Sequence, residues 1–531
     1  MHFHQNNLSL WQEDVILSDM PMLNRSLTTD VCIVGAGISG LLTAYQLLKN
    51  EFKVVILEKD DLGYGETALS SAHLSDVFDD HFKEILKKNG LDRARLAYQS
   101  HMEAIDTIER IIHDEKIDCD FRRLEGYLFL APEHDRVYLQ DEMKAAQDCG
   151  VVDVQLLTQP LKAFFDTGTC LRFAHQAQFH PLKFINGLCE RIRAMGGQIY
   201  TRTRVEFVQD GKNPFAETVH GYRVSADHVV VATNVPINNL MSVHLKEAAF
   251  RTYVVGMKIP RGSVPSALYW DTGTPYHYIR IDSAPERDFD VLIVGGEDHR
   301  VGQEEHPELI FQKLRDWAQK RLGISDLEVV YNWSGQIVEP MDGLAYIGRN
   351  PGEKNVYIVT GDSGQGITHG AIASLLLTSL IKGENHRWES VYDPSRFNWR
   401  SLGHFMKDNA QSGIQYVDWI YRDEKDVADL LPGQGCVVSD GLTKTAVFRD
   451  SDGDLHRLSA TCPHMGGVVK WNGAEQTWDC PCHGSRFSKM GEVLNGPAIH
   501  DLTPVQKEEK TPGISPRKKD SDFDTFYRGS R

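Results

Sequence analysis

Four consecutive apolar residues, Val31, Cys32, Ile33 and Val34, run into Gly35-Ala36-Gly37, and behind them Ile38, Leu41, Leu42, Tyr45 and Leu48 recur at helical spacing. This pattern predicts a buried strand that turns sharply into a helix. A second apolar run at 54–57 predicts the next strand, so 30–58 reads as a βαβ unit. Two more apolar strands are predicted at 226–234 and near 356–360. The second passes through Gly361-Asp362-Ser363-Gly364-Gln365-Gly366 into an apolar helix. Beyond residue 430 the rhythm changes to short alternating stretches at 436–438, 444–448 and 455–458, with an Asp/Gly turn at 450–454. That rhythm predicts a small antiparallel β domain.

The chain has 531 residues, more than a single core holds, so two or three domains are expected. A 41% hydrophobic and 25% charged composition is that of a globular protein. The formal net charge of −17 argues against a nucleic-acid partner, which would need clustered Lys and Arg. The N-terminus lacks a basic start followed by an apolar core, so no signal peptide is expected. No apolar run approaches the ~20 residues of a membrane helix; the best, 371–381, is interrupted by Ser and Thr, so no membrane insertion is expected. Nine cysteines without a framework spacing fit a reducing compartment, and the expected location is the cytoplasm.

The first glycines suit a dinucleotide. Gly35 permits the tight turn, Gly37 the close approach of a pyrophosphate, and Gly40 close helix–strand packing, with the phosphates at the helix N-terminus. Glu58, eighteen residues after Gly40, ends the second strand where a carboxylate can accept bonds from an adenosine ribose. An ordinary βαβ crossover with small residues at the turn is the alternative. The helix start near 366 could aim backbone N–H groups and its positive end at a flavin pyrimidine.

Near the C-terminus, Cys462 and His464 stand as C-x-H, and Cys480 and His483 follow as C-x-x-H. Each loop offers one thiolate and one imidazole. This suits a two-iron cluster in which thiolates hold one iron and imidazoles the other. A mononuclear zinc site is the rival, although zinc requires neither the repeated Cys-Pro nor the trailing Gly-Ser.

The blocks Gly35–Gly40, Glu58, the small-residue loop at 63–73, Phe179-His180-Pro181, Gly196-Gly197 and Gly361–Gly366 resemble the D-amino-acid-oxidase-like family of FAD-dependent oxidoreductases. The Cys-Pro-His-Met-Gly-Gly and Cys-Pro-Cys-His-Gly-Ser loops resemble the Rieske [2Fe–2S] family. The resemblance implies an α/β FAD-binding Rossmann-type domain with an inserted α+β substrate domain, plus a small all-β Rieske domain. The implied layout is an FAD-dependent oxidoreductase over 1–410, with FAD-binding segments at about 28–80, 180–240 and 335–383. A linker at 411–428, a Rieske domain at 429–506 and a disordered tail at 507–531 complete it.

The implied cofactors are FAD and a Rieske-type [2Fe–2S] cluster. Gly35, Gly37, Gly40 and Glu58 fall at the family's adenosine-diphosphate side, Val205 at its adenine contact, and Gly361, Gly364, Gln365 and Gly366 at its pyrimidine-side turn. Asn234 stands where the family usually has Gly. Leu69 stands where some relatives carry a flavin-linked His, and His73 comes four residues later, so FAD is expected to be held non-covalently. Cys462, His464, Cys480 and His483 are the implied iron ligands, with Asn495-Gly496-Pro497-Ala498 as the covering loop. Where respiratory Rieske proteins clamp the two ligand loops with a disulfide, Cys482 is retained here and Gly467 replaces its partner. Phe487 replaces a Tyr that bonds a ligand thiolate, which places the expected potential at roughly −150 mV to 0.

The resulting expectation is an FAD-dependent dehydrogenase oxidising a C–N bond of a small amine or amino-acid-like substrate. Flavin electrons would pass to the cluster and on to an external acceptor. Arg251, Tyr253, Arg280 and His299 are the candidate substrate residues, since an Arg can grip a carboxylate bidentately; each also reads as a surface or inter-strand residue. His369 reads as a helix-face residue. A flavin reductase fed by the cluster from an electron-donor protein, and a redox sensor or adaptor without turnover, remain as alternatives.

Overall fold

In the computed structural model, residues 8–13, 15–158, 167–238, 243–304, 306–323, 327–398, 427–440 and 443–505 are described. The expected tail at 507–531, and all but the last two residues of the expected linker, lie outside them.

The fully buried strand Val31–Val34 is the middle of a six-stranded sheet. Its order is Tyr346–Arg349, Val356–Thr360, His228–Val231, Val31–Val34, Val54–Leu57, Gln198–Tyr200. All neighbours are parallel except the antiparallel pair at the first edge. A parallel sheet covered on its faces needs strands apolar on both sides, which is the composition of these runs. The two glycine-started helices, Ile38–Lys49 and Gly366–Ile381, pack on one another. A Cβ on Gly370 would stand 2.9 Å from Ser39 Oγ, so that crossing depends on a missing side chain.

Next to this body lies a nine-stranded mixed sheet whose longest strands are Glu247–Pro260, Phe289–Arg300 and Glu328–Pro340. Side chains alternate across it. Tyr253, Val255 and Met257 face the helix Ile310–Leu322, whereas Val254, Tyr278 and Ile293 join the core shared with the six-stranded sheet.

The C-terminal domain has a three-stranded sheet, Gly435–Asp440, Thr443–Arg449 and Leu455–Ser459, and a four-stranded one running from Lys470–Asn472 to Val493–Asn495. The predicted hairpin at 450–454 joins the second and third strands of the first sheet. Phe448, Trp478 and Phe487 pack with Cys462 and Cys480 in its core.

A buried charge network ties this domain to the long strands. Arg251 donates to both carboxylate oxygens of Glu475, from Nε at 2.9 Å and Nη2 at 2.6 Å. Arg486 donates from Nη2 to Glu475 at 2.7 Å and from Nε to Asp479 at 3.0 Å. All four side chains are within 4% of full burial. Burial alone would raise the Glu475 carboxyl, but Arg251 and Arg486 outweigh it and hold it down to about 2 from 4.5. A depressed carboxyl stabilises the fold above its ordinary value, and that stabilisation is lost as pH falls through the depressed value. Denaturant unfolding should therefore show stability falling between pH 4.5 and about 2. Glu475→Gln, which leaves two buried guanidinium groups short of charge, should cost about 3–5 kcal/mol at neutral pH. A loss indistinguishable from wild type would contradict the network's role.

Candidate functional site

A cavity of about 770 Å³ runs from the first glycine turn, past the start of helix Gly366–Ile381, to the face of the large sheet. At one end the chain leaves room by lacking side chains. Gly35 has φ +107°, and a Cβ there would stand 2.4 Å from Ala232 O. A Cβ on Gly40 would lie 2.0 Å from Gly35 O, so this residue serves helix–strand packing and not the cavity wall. Gly37 lines the cavity beside Thr67, whose Oγ accepts from Ile38 N at 3.0 Å. Glu58 accepts from Ala36 N at 2.7 Å and Asp60 N at 3.1 Å. Burial, then Asp60, raises its carboxyl against those two bonds. Val205 lies on the same wall. Asn234 adopts φ +64°, a left-handed conformation that Asn tolerates, which is how the chain dispenses with glycine there.

At the far end, Gly364 has φ +77° and a Cβ on it would lie 2.3 Å from Asp79 Oδ2. Gln365 Nε2 donates to Val77 O at 2.7 Å, tying the turn to the loop before Asp79. Gly361 backs onto Pro340 and Glu247, outside the cavity wall, while Gly364, Gln365 and Gly366 line it. His369 also lines it, 2% exposed, with Nδ1 at 2.9 Å from Asp362 O and Nε2 without a partner. Burial pushes this imidazole down to about 4, so it is neutral. The helix-face reading missed this placement, because helical periodicity alone does not show which face meets a cavity.

The sheet side of the cavity is acidic and aromatic. Asp79 opens onto it and accepts from Tyr276 Oη at 3.0 Å, beside Tyr278 and Trp270. Burial, then Asp298, pushes Asp79 up to about 8; burial likewise pushes Asp298 to about 7.

The four candidate substrate residues are placed elsewhere. Arg251 is consumed by Glu475. Tyr253 stacks on His299 with ring centres 5.4 Å apart, and its Oη accepts from Asn472 Nδ2 at 3.2 Å. Arg280 donates from Nη1 to Ser71 O and Ala72 O at 2.9 and 2.8 Å and from Nη2 to Phe179 O at 2.9 Å, lying over Trp11. None of the four lines the cavity. For Arg251 and Tyr253 the reason is strand alternation, since they face away while Thr252 between them lines the cavity; Arg280 shares the parity of Tyr278 but is taken up by backbone carbonyls. His73, four residues past the position of the family's flavin-linked His, has Nδ1 at 2.9 Å from Ser71 Oγ and Nε2 at 3.4 Å from Ile279 O; burial pushes it down to about 3.

In the C-terminal domain the two ligand loops meet as pairs of like donors. The Cys462 and Cys480 thiols share a hydrogen bond, and the His464 and His483 rings are 5.1 Å apart. Both ring nitrogens of His464 are buried without a partner, and burial then His483 push it down to about 4, the neutral form that binds metal. Among the described residues no group of three or more His, Cys, Asp or Glu is placed to hold a single metal ion. Two thiols on one side and two imidazoles on the other fit two irons with two protein ligands each. The imidazoles abut the other domain, with the His244 ring 5.4 Å from His464 and 6.5 Å from His483. Ala498, in the covering loop, donates its N–H to Ser485 Oγ at 3.0 Å.

Residues 30–380 match the family described as FAD dependent oxidoreductase, and residues 422–506 match the Rieske [2Fe-2S] domain. A Rieske 2Fe-2S iron-sulfur protein of Bacillus subtilis (strain 168), YhfW, is 30% identical over 93% of this chain and 97% of its own length. Gamma-glutamylputrescine oxidoreductase of Escherichia coli (strain K12) is 26% identical over 69% of this chain and 87% of its own. Glycine oxidase from Geobacillus kaustophilus superposes with a TM-score of 0.58 at 17% identity, over 70% of this chain and all of that one, a likeness of fold. Among the described residues no helix is long and apolar enough to cross a membrane.

Two substitutions test the site. Gly35→Ala, strained by a positive φ and a clash with backbone, should yield protein without bound flavin absorbance; full flavin content would contradict the cradle. A Cβ on Gly467 would stand 3.3 Å from Cys482 Cβ and 2.6 Å from its Sγ. Gly467→Cys should therefore close a disulfide. Mass analysis should find two hydrogens lost at that pair, and two alkylatable thiols there would contradict the geometry.

Proposed function

The chain belongs to the FAD dependent oxidoreductase family and carries a C-terminal Rieske [2Fe-2S] domain, and on that premise we propose that it oxidises the C–N bond of a small cationic amine and passes the electrons through the cluster to an external acceptor. When bound, FAD supplies a hydride acceptor and the [2Fe–2S] cluster takes electrons singly. The observation that carries this reading is the shared cavity: Val493 and Asn495 of the C-terminal domain line it together with Gly35 and Gly364. The covering loop of the iron–sulfur domain thus forms part of the wall of the flavin cavity, a docking that a flavoenzyme discharging to oxygen would not need.

The amine preference follows from charge. Arg251 and Arg280, which a carboxylate would need, are engaged elsewhere, whereas Asp79 and Tyr276 line the sheet side of the cavity. Desolvation, then mutual repulsion, raises the Asp79 carboxyl, and an entering ammonium would offset that repulsion. Asp79 would hold the ammonium and take its proton, freeing the nitrogen lone pair, with Tyr276 Oη orienting the carboxylate. The name of gamma-glutamylputrescine oxidoreductase, a relative, supports the same substrate chemistry.

Anaerobic stopped-flow mixing with a panel of amines and α-amino acids should bleach the flavin with amines, followed by loss of visible cluster absorbance. Bleaching by no compound, or flavin bleaching without cluster reduction, would contradict the proposal. A raised carboxyl is neutral below its pKa and charged above it, so kcat/KM for the amine should rise with pH through the pair's range of about 7 to 8. Asp79→Asn should remove the Asp79 part of that rise and raise KM about tenfold or more, the loss of a charged hydrogen bond of about 1.5–3 kcal/mol. An unchanged profile would contradict the assignment.

A further inference from the structure

We infer that Gln336 is a positioning residue that couples the flavin cavity to the imidazole end of the iron–sulfur site. This rests on the proposed exchange of electrons between flavin and cluster. Gln336 is 3% exposed, lines the cavity, and neither its Oε1 nor its Nε2 has a hydrogen-bond partner. A buried carboxamide left unpaired is costly, so its retention calls for a role at this contact.

The same side chain reaches the other domain. Its Nε2 lies 3.1 Å from where a Cβ on Gly484 would stand, and Gly484 directly follows the ligand His483. Any side chain at 484 would also run into Ala249, 2.2 Å from that position, so the missing Cβ is what lets the ligand loop and Gln336 approach. One amide therefore adjoins both the cofactor cavity and the backbone of the histidine loop.

Its position is fixed from both sides. Gln336 is directly opposite Arg251 in the sheet, and Arg251 is locked to Glu475 of the C-terminal domain. Its backbone N donates to Glu66 Oε2 at 2.6 Å, and the other oxygen of Glu66 accepts from Asn495 Nδ2 at 2.7 Å. Glu66 begins the short helix Glu66–Leu69 in the small-residue loop beside the cavity. The carboxylate thus pins the Gln336 strand and the covering loop to the same point. The step this contact would serve is the transfer of one electron from reduced flavin to one ferric ion of the cluster. No bond is made or broken and Gln336 carries no proton; it sets the contact across which the electron passes.

The test is laser-flash reduction of the anaerobic holoenzyme by photogenerated deazariboflavin radical, following flavin and cluster absorbance together, with flavin and iron content measured on each variant. Wild type should show a concentration-independent phase in which flavin reoxidation matches cluster bleaching. Gln336→Met keeps the length and removes the amide; it should retain both cofactors and slow that phase about tenfold. Gln336→Glu, which keeps the length and an oxygen acceptor, should restore part of the rate, and it serves as the second variant if the first loses its cofactors. An unchanged phase in both variants would overturn the role of Gln336 and leave the relay standing. Absence of the phase in wild type would overturn the relay itself.

Discussion

The arrangement depends on one buried carboxylate shared by two guanidinium groups from different domains. Glu475 lies between Arg251 of the long sheet and Arg486 of the iron–sulfur domain, all nearly fully buried. A buried ion network of this kind adds little net stability compared with apolar packing, yet it is very costly to break by removing one member. Its consequence is therefore orientation. A domain free to slide on an apolar face would have many docked poses, whereas this one has the pose that satisfies three charges at once. That pose turns His464 and His483 toward His244 and seats the covering loop on the cavity.

The same constraint bears on the charge that the described residues present on the sheet side of the cavity. Strand alternation gives each inter-strand position to one face, and the face that docks the iron–sulfur domain takes Arg251, Tyr253 and His299. What remains for the cavity is Thr252, Tyr276, Tyr278 and Asp79, a wall of hydroxyls and carboxylate. On the strand Glu247–Pro260, Arg251 thus goes to the docked domain and its neighbour Thr252 to the cavity.

Much of this was legible in the sequence where chemistry leaves a local mark. The glycine turn at Gly35 and Gly37, the acid at Glu58 and the paired Cys/His loops have spacings dictated by a ligand, and each stands where its spacing puts it. Gly467 was legible for the same reason: a clamp that lacks one cysteine shows as a gap in a short motif. The substrate wall was not legible. A strand's outward face is decided by register with distant strands, and a shift of one residue exchanges Arg251 for Thr252. Gln336 and Glu475 carry no local pattern at all; only the docked domains reveal that one is unpaired and the other doubly paired.

The proposed relay requires that flavin and cluster sense one another magnetically. The direct measurement is the relaxation of the flavin radical signal, by pulsed electron paramagnetic resonance on the half-reduced holoenzyme, with the cluster first oxidised and then reduced. The structure predicts markedly faster relaxation of the radical once the cluster is paramagnetic. Identical relaxation in both states would mean that the two sites are not neighbours, and the shared-cavity account would be wrong.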